Sequence, residues 1–136
     1  MKIAVSTFKG GLGDSICPTF GRCSTFTIVE VDEKEKKILK TNLIPNPGGM
    51  AGGGAGIAAA QEIIKSGAKN LITGNCGPNA VAVLMQAGIS VYSSTGTVED
   101  AVTKFLEGKL SSVTAPNVPG HFGMGFGRKR FGRGLR

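Results

Sequence analysis

From Ala55 onward the sequence alternates helix-like and strand-like segments with very little between them. Ala55 to Ser66 reads as a helix stopped by Gly67, and Asn70–Thr73 as a short buried strand. Pro78–Ala87 reads as a second helix, Ile89–Ser93 as another strand and Val98–Leu106 as a third helix. Such alternation predicts parallel strands joined by right-handed crossovers, which leaves few folds open. Local signals agree with the boundaries. Pro78 suits a first helical turn, where its missing N–H costs nothing. Thr97 followed three residues later by Asp100 predicts a capping box.

The first half carries a different pattern. Lys2–Ser6 alternates and is β-branched, so it reads as a strand. A long loop, Thr7–Arg22, leads to a second strand, Thr25–Val31; a charged turn, Asp32–Lys36, leads to a weaker third, Lys37–Ile44, ending at Pro45. Short connections favour antiparallel neighbours, which predicts a meander. If the second strand runs against the first and third, the loops after strands one, three, four and five share one sheet edge. Ligands bind outside the carboxyl ends of strands in such sheets. That edge is expected to hold Cys17 and Cys23, the glycine loop around Met50, and Cys76.

Cys76 lies in Asn75-Cys76-Gly77-Pro78-Asn79-Ala80, between a strand and a helix. Gly74 and Gly77 permit close backbone approach, Asn75 is expected to cap the helix, and a thiol near a helix N-terminus is expected to have a lowered pKa. A single free cysteine is as often small core filler. Three cysteines cannot form a closed disulfide set. Cys17-x5-Cys23 is not a zinc-knuckle spacing, but with Cys76 it supplies three soft ligands suited to iron–sulfur clusters, Cu(I) or zinc. The run Gly48–Gly56, including Gly52, Gly53 and Gly54, precedes the first helix. Gly54-Ala55-Gly56-x-x-Ala59 formally matches a dinucleotide fingerprint, yet no acid occurs between residues 70 and 80, where one is required. A helix N-terminus fronted by free backbone N–H groups binds anions, a negatively charged cluster included. Arg22 would offset cluster charge. No Ser-His-Asp arrangement is present, and the first strand lacks the carboxylates of a two-metal nuclease.

Charge divides the chain. Residues 1–108 hold ten Lys/Arg and nine Asp/Glu, whereas residues 109–136 hold six Lys/Arg and no acid. The chain therefore reads as an α/β domain over 1–110 and a basic tail over 111–136. From Gly120, glycine alternates with Phe, Met and Arg, and His121, the only histidine, lies there. That glycine content predicts disorder over 117–136. Arginines interleaved with phenylalanines suit nonspecific binding of single-stranded nucleic acid, an acidic partner protein, or a cover over the cluster edge. No apolar run of about 18 residues is present to span a membrane. The start Met1-Lys2-Ile3-Ala4-Val5-Ser6 has no leader pattern, so a cytoplasmic protein with reduced thiols is expected.

Several segments together resemble the nitrogenase iron–molybdenum-cofactor biosynthesis family of small NifX-like carrier proteins. They are Phe20-Gly21-Arg22, Asn46-Pro47, the glycine-rich helix entry, Gly77-Pro78-Asn79-Ala80, Ala87-Gly88-Ile89-x-Val91-Tyr92 and Gly96-Thr97-Val98-Glu99-x-Ala101. The resemblance spans about residues 1–110. It implies a ribonuclease-H-like α/β/α fold around a mixed five-stranded sheet. It also implies non-catalytic carriage of an iron–sulfur or mixed metal–sulfur cluster, with a donor or acceptor protein as partner. Metal ligands would be Cys17, Cys23 and Cys76, with Arg22, Met50, Gly52, Gly53, Gly54, Asn75 and Gly77 around the cluster. Family members often carry histidine where this chain has Thr19 and around Met50–Gly54, which favours a relative holding a different, thiolate-ligated cluster.

Overall fold

The computed structural model describes residues 1–46, 55–110 and 112–113. The elements in chain order are β1 (Lys2–Thr7), a single 3-10 turn (Phe20–Arg22), β2 (Thr25–Asp32), β3 (Lys37–Pro45), α1 (Ala55–Ser66), β4 (Asn70–Thr73), α2 (Pro78–Gln86), β5 (Ser90–Ser93), α3 (Val98–Leu106) and β6 (Ser112–Val113). They build one mixed sheet in the order β3-β2-β1-β4-β5-β6.

The expected meander is present: β1 and β2 pair antiparallel from Lys2↔Glu30 to Thr7↔Thr25, and β2 pairs antiparallel with β3. From β1 onward the direction changes. β4 lies parallel to β1 and β5 parallel to β4. The sheet has six strands where five were expected. β6 pairs antiparallel with β5 through Val91↔Val113 and Tyr92↔Ser112, and two residues are too few to show an alternating pattern in sequence.

Because side chains alternate across a strand, β1 feeds both faces of the sheet. Ala4 joins Phe26, Ile28, Leu71 and Val91 beneath α1 and α2, which contribute Ala59, Ala60, Ile63, Ala80 and Leu84. Ile3 and Val5 join Val29, Val31 and Ile72 beneath α3, with Val98, Ala101 and Val102. Helices therefore cover both faces, two on one and one on the other. Full burial of each Leu, Ile or Phe here is worth roughly 1.5–3 kcal/mol. Thr97 caps α3, its hydroxyl accepting from the Asp100 amide at 3.2 Å. Gly67 ends α1 in the left-handed region (φ 84°) that glycine adopts at little cost.

Candidate functional site

The carboxyl ends of β1, β4 and β5 point to one edge, and there the chain ties distant loops together. The Thr7–Arg22 loop is held at several points. The Asp14 carboxylate accepts from the backbone amides of Phe8, Lys9, Gly10 and Ser15 at 2.8–2.9 Å. Burial acts to raise the Asp14 pKa, but these backbone hydrogen bonds outweigh it and hold the carboxyl below its usual value. The Ile16 amide donates to the Gly96 carbonyl, and the Cys17 amide to the Ser6 carbonyl. Buried hydroxyls secure the same region. Ser6 Oγ donates to the Cys17 carbonyl at 2.8 Å and meets Thr73 Oγ1 at 2.7 Å.

Two backbone strands of this edge touch directly. The Asn75 amide donates to the Pro18 carbonyl at 2.7 Å, and the Phe20 amide to the Asn75 carbonyl at 3.1 Å. Gly74 makes this possible, since a Cβ there would lie 2.5 Å from Pro18 Cα. Asn75 thus acts through its backbone as a stitch between loops. The cap of α2 is Gly77, which makes no side-chain capping bond, so the expected Asn75 cap is corrected.

A cavity of about 270 Å³ opens beside this stitch. Its walls are the 3-10 turn (Phe20, Gly21), the start of α1 (Gly56, Ile57) and the start of α2 (Gly77 to Ala80). Phe20 is buried against Phe26, ring centroids 5.4 Å apart, which fixes one wall. Two helix N-termini border one cavity. The amides of Asn79 and Ala80 have no carbonyl within their own helix to bond, and α2 brings the positive end of its dipole to the same place. Among the described residues, no carboxylate lines the cavity. Asn46, buried at 4 % exposure, anchors the turn from behind. Its side-chain amide donates to the carbonyls of Cys23 at 2.7 Å and Gly21 at 3.4 Å.

All three cysteines lie toward this edge, yet they belong to the core. Cys17 and Cys23 are buried, and Cys76 packs half-buried against the same cluster. Cys17 Sγ donates to the Thr19 carbonyl at 3.6 Å and Cys23 Sγ to the Phe20 carbonyl at 3.3 Å. Burial pushes the Cys76 thiol up to about 12, the reverse of the lowering expected from its place before a helix. Desolvation outweighs the helix terminus at this position. Burial, with the nearby Cys17 thiol adding to it, pushes Cys23 up to about 12 despite a hydrogen bond from Asn46. Among the described residues, no group of three His, Cys, Asp or Glu side chains is arranged to hold one metal ion.

Of the other expected site residues, Gly77 lines the cavity and Arg22 is exposed at the end of the 3-10 turn, next to Gly21. Met50, Gly52, Gly53, Gly54 and the tail expected to be disordered lie outside the described residues. Phe20, Ile57, Ser6 and Thr73 were not expected at the site, although buried hydroxyls at the end of an apolar strand are a usable signal.

The chain is thus a mixed α/β protein with a cavity bordered by the starts of two helices. Comparison with known proteins narrows this. Residues 1–108 match the family model described as dinitrogenase iron–molybdenum cofactor, and the chain belongs to that family. It is 37 % identical over 111 residues to an uncharacterised protein of Methanocaldococcus jannaschii, covering 81 % of this chain and 89 % of the relative. Its fold is similar to the apo form of the orange protein of Desulfovibrio gigas, with TM-score 0.76, 38 % identity, and 86 % and 96 % of the two chains covered. A putative NifB protein from Thermotoga is also similar, with TM-score 0.69, 28 % identity, and 88 % and 98 % covered. No helix of the described residues is long and apolar enough to cross a membrane.

Proposed function

We propose that this protein is a non-catalytic carrier of an anionic metal–sulfur cluster, iron–sulfur or mixed, seated in the cavity between the 3-10 turn and the starts of α1 and α2. The ribonuclease-H-like relationship and a cytoplasmic setting are part of this reading. The observation that carries it is the convergence of two helix starts on one cavity whose described lining holds no carboxylate. Helix starts offer N–H donors and positive dipole ends to a negatively charged cargo. Gly77 leaves open space, with no described atom within 4 Å of where its Cβ would be. Membership of a family named for a metal–sulfur cofactor supplies the cargo class. Arg22 would offset its charge, Asn75 would hold the loop stitch, and Met50, Gly52, Gly53 and Gly54 would add backbone donors.

Cys17, Cys23 and Cys76 are the proposed thiolate ligands. For Cys23 and Cys76 the proton is held to about 12 in the cluster-free protein, so ligation needs the metal to displace it. The test is anaerobic reconstitution of the full chain with iron and sulfide, with and without molybdate. Metal and sulfide per chain and visible absorption are then read in the parent and in Cys17→Ser, Cys23→Ser and Cys76→Ser. Stoichiometric loading in the parent with loss in Cys76→Ser supports thiolate carriage. Full loading in all three replacements overturns thiolate ligation by these cysteines. No retained metal in the parent under any mixture sinks the carrier reading.

A further inference from the structure

β3 closes the meander at one end of the sheet, and among the described residues no strand pairs with its outer side. The pairing shows which of its backbone groups face outward. The Asn46 amide donates to the Ser24 carbonyl at 3.1 Å, one step beyond the Thr25↔Pro45 pair. Bonded pairs alternate along an antiparallel ladder, so Ile44, Asn42 and Lys40 turn their N–H and C=O groups toward β2. Thr41 and Leu43 turn theirs outward. So does Pro45, which has no N–H to give and suits only such a position. The register with β2 is unbroken from Pro45 to Lys40 and shifts beyond it, between Glu30 and Val31. A bulge blunts an edge against further pairing, but this one leaves the run from Thr41 to Pro45 straight.

The side chains along that run are as unmatched as the backbone. Leu43 is 53 % exposed, and its Cδ2 lies so close to Gly10 that a Cβ added there would clash. Phe8, two residues before Gly10, is 48 % exposed. The apolar cluster beneath α3 takes only Ile38 from β3. Charge is absent from residues 41–45, and the flanking lysines have their own partners: Lys40 meets Glu30 at 3.4 Å and Lys37 meets Glu35 at 3.1 Å.

We propose that β3 pairs antiparallel with β3 of a second copy of this chain, about a two-fold axis through Leu43, joining the two sheets into one. A residue on that axis exchanges both backbone bonds with its own counterpart, so it must face outward. Leu43 is the middle one of Thr41, Leu43 and Pro45. Leu43 then meets Leu43 of the other copy, and each Thr41 amide meets the Pro45 carbonyl of the other copy. A second copy brings an uncharged run of equal length with donors and acceptors at matching places. A charged partner would find no counter-charge along it. Such a contact uses the same patch on both chains and closes on itself. The paired run spans about 17 Å at ~3.4 Å per residue, so the association is weak and reversible, as small interfaces are. It goes beyond the carrier reading and stands without it, because its test needs no metal.

The test is sedimentation equilibrium of the full-length metal-free protein from about 5 to 500 µM, a range that covers weak dimers. The mass is expected to rise from one chain, 13.9 kDa, toward two and no further, and high salt should not weaken the association. Leu43→Lys sets two ammonium groups against each other in place of two leucines and should weaken the dimer about tenfold or more. Thr41→Pro removes an outward donor from each copy without touching the β2 ladder and should also weaken it about tenfold. Leu39→Lys, outside the paired run, should change it by no more than about twofold. All three positions are exposed, and an unchanged melt checks that each variant is folded. A single-chain mass at every concentration, or growth past the dimer, overturns the proposal. A dimer left intact by both Leu43→Lys and Thr41→Pro overturns it as well. An equal loss in Leu39→Lys overturns the register centred on Leu43.

Discussion

Replacing Gly74 by Ala tests the loop stitch that holds the candidate site together. The added Cβ would lie 2.5 Å from Pro18 Cα, 2.9 Å from Pro18 O and 3.1 Å from Pro18 C, all backbone atoms that no rotamer change can clear. One loop must move. That motion strains or breaks the Asn75–Pro18 and Phe20–Asn75 hydrogen bonds, 2.7 and 3.1 Å long, each worth about 1 kcal/mol net. Overpacking of this kind costs about 1–3 kcal/mol. Against it, alanine lowers unfolded-chain entropy by ~0.4–1 kcal/mol, and Gly74 has no positive φ that would strain an alanine. The net expectation is a loss of about 2–3 kcal/mol. Urea unfolding followed by far-UV circular dichroism reads it as a lower midpoint at unchanged slope. Gly13→Ala is the control, since no described atom lies within 4 Å of its Cβ and its φ is ordinary; it should be neutral or stabilise by ~0.4–1 kcal/mol. A Gly74→Ala protein as stable as the parent would refute the claim that close backbone contact builds this edge.

Three further outcomes are expected. Asp14→Asn should cost about 1–2 kcal/mol at pH 7, because charge-assisted bonds to four partly exposed amides are weakened. Since the folded Asp14 carboxyl is held below its usual value, its stabilisation is present above about pH 4 and lost as pH falls through the folded value. The Asp14→Asn variant should therefore lose less stability in acid than the parent, read by unfolding at about pH 7 and about pH 2.5. Cys23 and Cys76 titrate near 12 when folded against an ordinary 9.0, so the folded state keeps protons that the unfolded state releases. Stability should be unaffected below about pH 9 and fall between there and about 12, with a shallower fall in Cys76→Ala. Asn46→Ala should cost about 2–3 kcal/mol, leaving the buried Cys23 carbonyl without its 2.7 Å partner, and should lower metal retention more than Thr97→Ala, which weakens only the α3 cap, costing about 1 kcal/mol.

Local chemistry was enough for the elements that local chemistry builds. Gly67 and Pro78 mark in sequence the places where α1 ends and α2 begins, and Thr97 caps α3. The alternation of elements after Ala55 implied parallel strands, as β4 and β5 are, but not that β1 would lie between β2 and β4. What spans the chain was legible only as a shared sheet edge for the Thr7–Arg22 loop, the entry to α1 and the Cys76 turn, not as the residues that meet there. Phe20 and Gly21, Gly56 and Ile57, and Gly77 to Ala80 border one cavity, although nothing near any of the three segments refers to the others. The Cys76 thiol shows the limit most directly. Its sequence neighbours predict a helix terminus that lowers its pKa, but packing against the α1–α2 core removes water from it and reverses the sign. Charge follows the same rule. The sequence determines how many cations the body contains, whereas strand direction decides which edge of the sheet each described one reaches. Coulomb energies depend on distance in space, and that distance exists only once the sheet has closed.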